Sequence, residues 1–226
     1  MAAAKNPKSP ALQTTLGNLL AAQGDSAGAR TAYDAAKAGG DTVNPEIETA
    51  LLDLRLGAVD KAKERLLNLV KAHENVRARI VLADIEMRSG SGDGPVEQYL
   101  KALQLEPANV FVMNNLAGYL ATKQKKYDDA LFWGRKALAL APDSPVVEDT
   151  LGWTYYLQGK YDQALPYLEK SEKALDRPVA HYHMAAELMK TGDNGRAKKE
   201  YEAAIRADPK SSERAVVGPL FADASK

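Results

Sequence analysis

The chain has 226 residues, 45% hydrophobic and 27% charged, with 30 basic side chains against 30 acidic ones and no cysteine. That balance leaves no net field to gather a polyanion, so neither nucleic-acid binding nor adhesion to an anionic bilayer is expected. Disulfides, thiolate chemistry and cysteine-ligated metals are excluded, and no apolar run approaches the roughly 20 residues that cross a membrane.

Residues 1–9 read as a leader that lacks the apolar core of a signal peptide. They leave the compartment open between the cytoplasm, for a whole chain, and the cell envelope, for an excised piece. From residue 10 onward, helical patterns are punctuated by Gly24, Gly57, Gly90, Gly159 and Gly192, spaced 33, 33, 69 and 33 apart, and the long gap holds one further unit. A helix that must stop and reverse often places a left-handed glycine just past its end. The register predicts an all-α array of six helix pairs, at 10–42, 43–75, 76–109, 110–144, 145–177 and 178–211, followed by a tail at 212–226.

Small residues recur inside the pairs: Gly17, Ala50, Ala83, Ala117, Gly152 and Ala185 on the first helices, and Ala29, Ala62, Ala130, Ala164 and Ala197 on the second. Antiparallel helices approach closely only where neither backbone carries bulk. Larger side chains such as Tyr33, Leu66, Tyr99, Leu168 and Tyr201 fill the flanking holes. Three pairs depart from this pattern. In 43–75, Thr49 and Asp53 stand where core residues are expected, which predicts the poorest core. In 76–109, Pro95 replaces the small residue and is tolerable only at the start of the second helix. In 110–144 the turn is longer and Gly134 falls where a large residue belongs, with Phe132 and Trp133 as the expected compensation. In the tail, Ser211 or Ser212 is placed to cap a short helix that stops at Gly218 and Pro219, with Leu220 and Phe221 folding back on the array.

The small–aromatic–small–proline pattern, 33 to 35 residues long and closed by Pro107, Pro142 and Pro209, resembles the tetratricopeptide repeat; it covers about nine-tenths of the chain. The best copy contains Leu151, Gly152, Trp153, Tyr155, Gly159, Tyr161, Ala164 and Leu168. The resemblance implies a right-handed superhelical solenoid whose first helices line a concave groove. Ala141–Pro145, Asp149–Trp153, Ala164–Lys170 and His181–His183 are similar, more narrowly, to the C-terminal repeats of bacterial envelope proteins that accompany exopolysaccharide export and protein sorting.

Catalytic patterns are missing from the sequence. His181 and His183 are two apart and point to different helix faces. His183 and Glu187 share a face but make only two ligands, so no metal is expected. Nothing resembles a nucleophile elbow, and the glycine-rich loop at 89–94 lacks the preceding strand and the Lys-Ser/Thr of a phosphate cradle. No cofactor is expected, and the chain is read as a non-enzyme. What remains is the groove. Projected on the family pattern, Phe111, Asn114, Asn115, Asp149, Trp153, Tyr156, Tyr182 and His183 face it, a mixture of rings and amides suited to a protein segment or extended peptide. Ile80, Asp84, Val146 and Thr150 stand where a carboxylate clamp would need Lys, Asn or Arg, so a clamp is not expected. The sequence therefore predicts a non-catalytic interaction scaffold. Two alternatives stay open: an assembly factor of an export or polysaccharide system acting through its convex face or ends, and the regulatory arm of a larger enzyme.

Overall fold

A computed structural model describes residues 9–90 and 92–223; residues 1–8, most of the leader, and the last three of the tail lie outside the described residues. Those described form thirteen α-helices and no strand. Twelve of them make six antiparallel pairs: α1 (Pro10–Ala22) with α2 (Ser26–Ala38), α3 (Asn44–Arg55) with α4 (Val59–Ala72), and α5 (Val76–Arg88) with α6 (Gly94–Leu105). The series continues with α7 (Val110–Thr122) and α8 (Tyr127–Leu140), α9 (Pro145–Leu157) and α10 (Tyr161–Ala174), and α11 (Pro178–Thr191) and α12 (Asn194–Ala207). A thirteenth helix, α13 (Glu213–Asp223), follows. The described residues form two compact halves, one up to Pro107 and one from Ala108.

The turns follow the glycines. Gly24, Gly57, Gly90, Gly159 and Gly192 take φ between 70° and 94°, the left-handed region that a side chain disfavours. In the fourth pair, where the turn is longer, Lys125 takes φ 56° instead. Asp25, Asn75, Asn109 and Asp193 cap helices by accepting from the backbone N–H three residues on, at 2.8–3.0 Å, which satisfies a donor that the first turn leaves orphaned. Pro95 lies in the first turn of α6, the one place in a helix that tolerates it.

Inside the pairs the small residues mark close approach. A Cβ on Gly17 would sit 2.3 Å from the Tyr33 ring, and one on Gly152 would sit 2.7 Å from Leu168. Ala29, Ala62, Ala130, Ala164 and Ala197 are fully buried. Gly134 is explained in the same way, and here the sequence expectation is corrected. A Cβ there would meet Leu151 at 2.7 Å, so the next pair's first helix fills the space. Phe132, expected to compensate, is 58% exposed.

The pair α3–α4 also differs from expectation. Ile47, Ala50, Leu66, Leu69, Leu82 and Ile85 form a continuous buried cluster through it. Asp53 is fully buried, but it is ionically paired: it accepts from Arg30 at 2.5 Å and from Arg65 Nε at 3.2 Å. Arg65 reaches on to Glu46, which also pairs with Lys37 at 3.2 Å. A carboxylate can stand in a core when its oxygens are met by opposite charge and hydrogen bonds, and Arg30 comes from the preceding pair.

In the tail, Gly218 and Pro219 do not stop the helix; α13 runs through both to Asp223. Proline removes an interior hydrogen bond, at a cost of about 3 kcal/mol. Burial offsets that cost. Val217 is fully buried, and the Phe221 ring stacks on Tyr201 at 4.2 Å with the planes 7° apart. Leu220 packs against the same cluster, so the tail caps α11 and α12 as a continuous helix rather than by folding back.

Candidate functional site

The first helices of the C-terminal half carry the residues singled out in the sequence. Phe111 and Val146 are each the second residue of their helices, α7 and α9, which pack on each other. They are 59% and 39% exposed. Helical periodicity places Asn115 and Gly118 beyond Phe111, and Thr150 and Trp153 beyond Val146, on the same faces. Asn115 and Thr150 are half-buried, and a Cβ on Gly118 would meet nothing within 4 Å. Asn114, beside Asn115, is 9% exposed, and its amide oxygen has no partner within the chain.

Deeper in the row the rings close on one another. Trp153 is stacked on both faces, by Tyr156 at 4.6 Å and 7° and by His183 at 3.9 Å and 10°. Only 5% of Trp153 is exposed, and Tyr182 is fully buried. Tyr182 lies edge-on to Tyr201 at 5.8 Å and donates its hydroxyl to the Asp208 carbonyl at 3.4 Å. The expectation that Trp153 and Tyr182 line an open groove is therefore corrected. A ring with both faces covered has no face to offer a ligand, and a ring between paired helices is core. Asn114 and His183 are buried as well, while Asp149 is turned toward His183. Of the residues expected in the groove, Phe111 remains open and Asn115 and Tyr156 are half-buried, with Val146 and Thr150 beside Phe111 and Asn115.

His183 faces a carboxylate at each ring nitrogen. Nδ1 lies 3.0 Å from both oxygens of Asp149 on α9, and Nε2 lies 3.7 Å from Glu213 on α13. Burial alone would lower its pKa. The charge and hydrogen bond of Asp149, followed by Glu213, outweigh burial and raise it to about 9. His183 and Glu187 do share a face of α11, but a protonated imidazole has no lone pair for a metal.

Glu187, one turn further on, is fully buried, and neither of its oxygens has a partner within the chain. Burial and then the charge of Asp162 push its pKa up to about 7, so near neutrality much of it carries a proton. A second acidic group, Glu172, His181 and Glu200, brings its ligand atoms within 4.8 Å of one another. Cations already serve it. His181 bonds Glu200 at 2.7 Å and Asp176 at 2.9 Å, while Arg196 reaches Glu169, Glu172 and Glu200 at 3.1, 3.8 and 4.0 Å. It is an ion-pair knot joining α10, α11 and α12.

Glu213 and Val217 were not among the residues picked out in the sequence as functional. The signal for them was an acidic residue, a valine and a phenylalanine at i, i+4 and i+8, which is one face of a helix.

Paired antiparallel helices repeating about every 34 residues, with an open row of first-helix side chains, define an α-helical repeat scaffold. The sequence matches the tetratricopeptide-repeat family over residues 10–35 and 47–110, and the family of anaphase-promoting complex (cyclosome) subunit 3 over 123–205. It is 26% identical over 202 residues to the TPR repeat-containing protein PA4667 of Pseudomonas aeruginosa, a match covering 73% of this chain and 34% of that protein. The chain thus spans about a third of that relative's length. Among solved structures, Pseudomonas aeruginosa PilF superposes with a TM-score of 0.63 at 25% identity, covering 80% of this chain and 84% of PilF. A chain of the APC/C hetero-tetramer Cut9–Hcn1 gives a TM-score of 0.78 at 15% identity, over 99% of this chain and 44% of that one. The chain belongs to the tetratricopeptide-repeat proteins. Fold and family make it a protein-interaction scaffold, and proteins of this class are generally non-catalytic.

Proposed function

We propose that the chain is a non-catalytic adaptor that binds an extended protein segment on the α7–α9 face. The observation that carries this reading is the exposure of Phe111 and Val146 at matching positions of two packed first helices. Beside them lies the half-buried Asn115. Apolar side chains of the partner cover Phe111 and Val146, and a backbone N–H of the partner donates to the Asn115 amide oxygen. First helices about 10 Å apart match roughly three residues of an extended chain at about 3.3 Å each, so the favoured motif has apolar anchors at that spacing. Affinity capture with the wild type and with Phe111→Ser/Val146→Ser tests it. The double variant should keep its helical circular dichroism and lose the partner that the wild type retains. Equal retention by both would refute the α7–α9 face.

A second reading is supported by a different surface. Phe132 is 58% exposed on α8, next to Trp133, and Lys136 Nζ lies 6.0 and 5.3 Å from their ring centroids. An assembly role in a bacterial envelope export system, acting through the second helices, would use this patch. Phe132→Ser would then abolish capture while Phe111→Ser would not.

A further inference from the structure

We infer that α13 is a proton-dependent cap: it docks on α11 while the His183 imidazole holds a proton on both nitrogens between Asp149 and Glu213, and it loosens when one of those protons leaves. The argument begins with valence. A neutral imidazole has one N–H and one lone pair, and a lone pair aimed at a carboxylate is repelled. Here both nitrogens face carboxylates, at 3.0 Å on the α9 side and at the ion-pair distance of 3.7 Å on the α13 side. Only the imidazolium satisfies both. The ring face points the same way, because it stacks on the Trp153 indole at 3.9 Å and an aromatic face attracts a cation.

The weaker of the two links belongs to α13. Asp149 meets Nδ1 with both oxygens, so the remaining proton of a neutral imidazole stays there, and Glu213 is left facing a lone pair. The other ties of α13 are apolar burial and ring stacking: the buried Val217 and the Phe221–Tyr201 stack. Loss of the proton therefore loosens the helix rather than detaching it.

The surrounding groups set the pH window of the cap. Glu187 on α11 is raised by burial and by Asp162 of α10. Deprotonating it adds an unpaired anion one turn from His183. Glu200 of α12 is engaged with His181 and Arg196. Glu213 is held below its ordinary range by His183, with Lys123, just past the end of α7, adding to the effect. His183 has its folded pKa above the unfolded value of 6.5. Its contribution is therefore fully present below pH 6.5 and is lost as pH rises through about 9. Glu213, with a lowered folded pKa, contributes above its unfolded value of 4.5 and loses that contribution as pH falls through the folded value. The cap is tightest in mild acid.

Hydrogen exchange of the intact chain, corrected for the intrinsic pH dependence of exchange, tests the inference. In the wild type, α13 amide protection should fall roughly tenfold or more between pH 6.5 and 9.5 while that of α9 and α10 holds. Glu213→Gln keeps the shape of the side chain and should show the lower protection already at pH 6.5, with little further change. The second readout is Trp153 emission in a Trp133→Phe background. A stacked imidazolium quenches indole fluorescence, so emission should rise with an apparent pKa near 9. Protection of α13 that does not change with pH, or a Glu213→Gln profile that overlays the wild type, would overturn the inference; so would emission that is constant over the range.

Discussion

The two halves of the chain solve the same packing problem with different chemistry. In the N-terminal half the helix pairs are joined by charge: Arg30 and Arg65 converge on the buried Asp53, Lys63 reaches Glu86 at 3.3 Å, and Arg79 bonds Glu74 and the buried Gln98. In the C-terminal half an ion-pair knot holds α10, α11 and α12, but rings make the other joints: Tyr156, Trp153 and His183 stack in sequence, and Tyr182, Tyr201 and Phe221 close the end. Both schemes fit one backbone because the small residues fix the approach of the helices and leave the flanking positions to be filled by any side chains that complement one another. The lesson is that a repeat register constrains where a side chain sits far more tightly than what it does there.

Substitutions can break this contrast, and the largest effect is expected at Trp153. Trp153→Ala empties the centre of the ring stack and should cost about 3–5 kcal/mol in urea unfolding. Asp53→Ala should cost about 3 kcal/mol, the low end for breaking a buried pair, because Arg30 and Arg65 keep partial contact with water, at 33% and 19% side-chain exposure. A loss below 1 kcal/mol would mean that the ion pairs add little and that the apolar cluster from Ile47 to Ile85 carries the α3–α4 pair alone.

Glu187→Gln sharpens the comparison from the other side. The folded pKa of Glu187 lies near 7, above its unfolded value of 4.5. The wild type therefore loses stability as pH rises between these values, and the whole deficit is present above about 7. The variant should match the wild type near pH 4 and exceed it by on the order of 2 kcal/mol at pH 8. A constant difference across that range would show that the carboxyl does not titrate where its burial places it. The smallest effect belongs to the exposed face: Phe111→Ala should change stability by less than about 0.5 kcal/mol.

The fold was legible because its signals are local. Glycines 33 apart and alanines at fixed offsets report helix ends and close approach, and both are properties of the backbone. The site was legible in part. Phe111 stands open, as projection onto a repeat implies. Trp153 and Tyr182 were read as groove residues from the same projection and are core, because whether a ring on a first helix is open depends on its neighbours. Tyr156 and His183 cover the faces of Trp153, and α12 covers Tyr182. Asp53 misled in the opposite sense: its partner Arg30 lies 23 residues away, and no pattern within one repeat announces it. The tail was misread at Gly218 and Pro219 because local breaker signals outweighed the apolar face that docks α13.

The most direct test of two kinds of glue is residue-resolved hydrogen exchange on the intact chain at low and high salt. Raising ionic strength from about 0.15 M to 1 M shortens the screening length from roughly 8 Å to 3 Å. The partly exposed arms of the Asp53 network should weaken, while stacked rings should not. Slowly exchanging amides of α2, α3 and α4 should lose protection, and those of α9 should keep or gain it. Equal losses in both halves, or a loss confined to α9 and α11, would contradict the account.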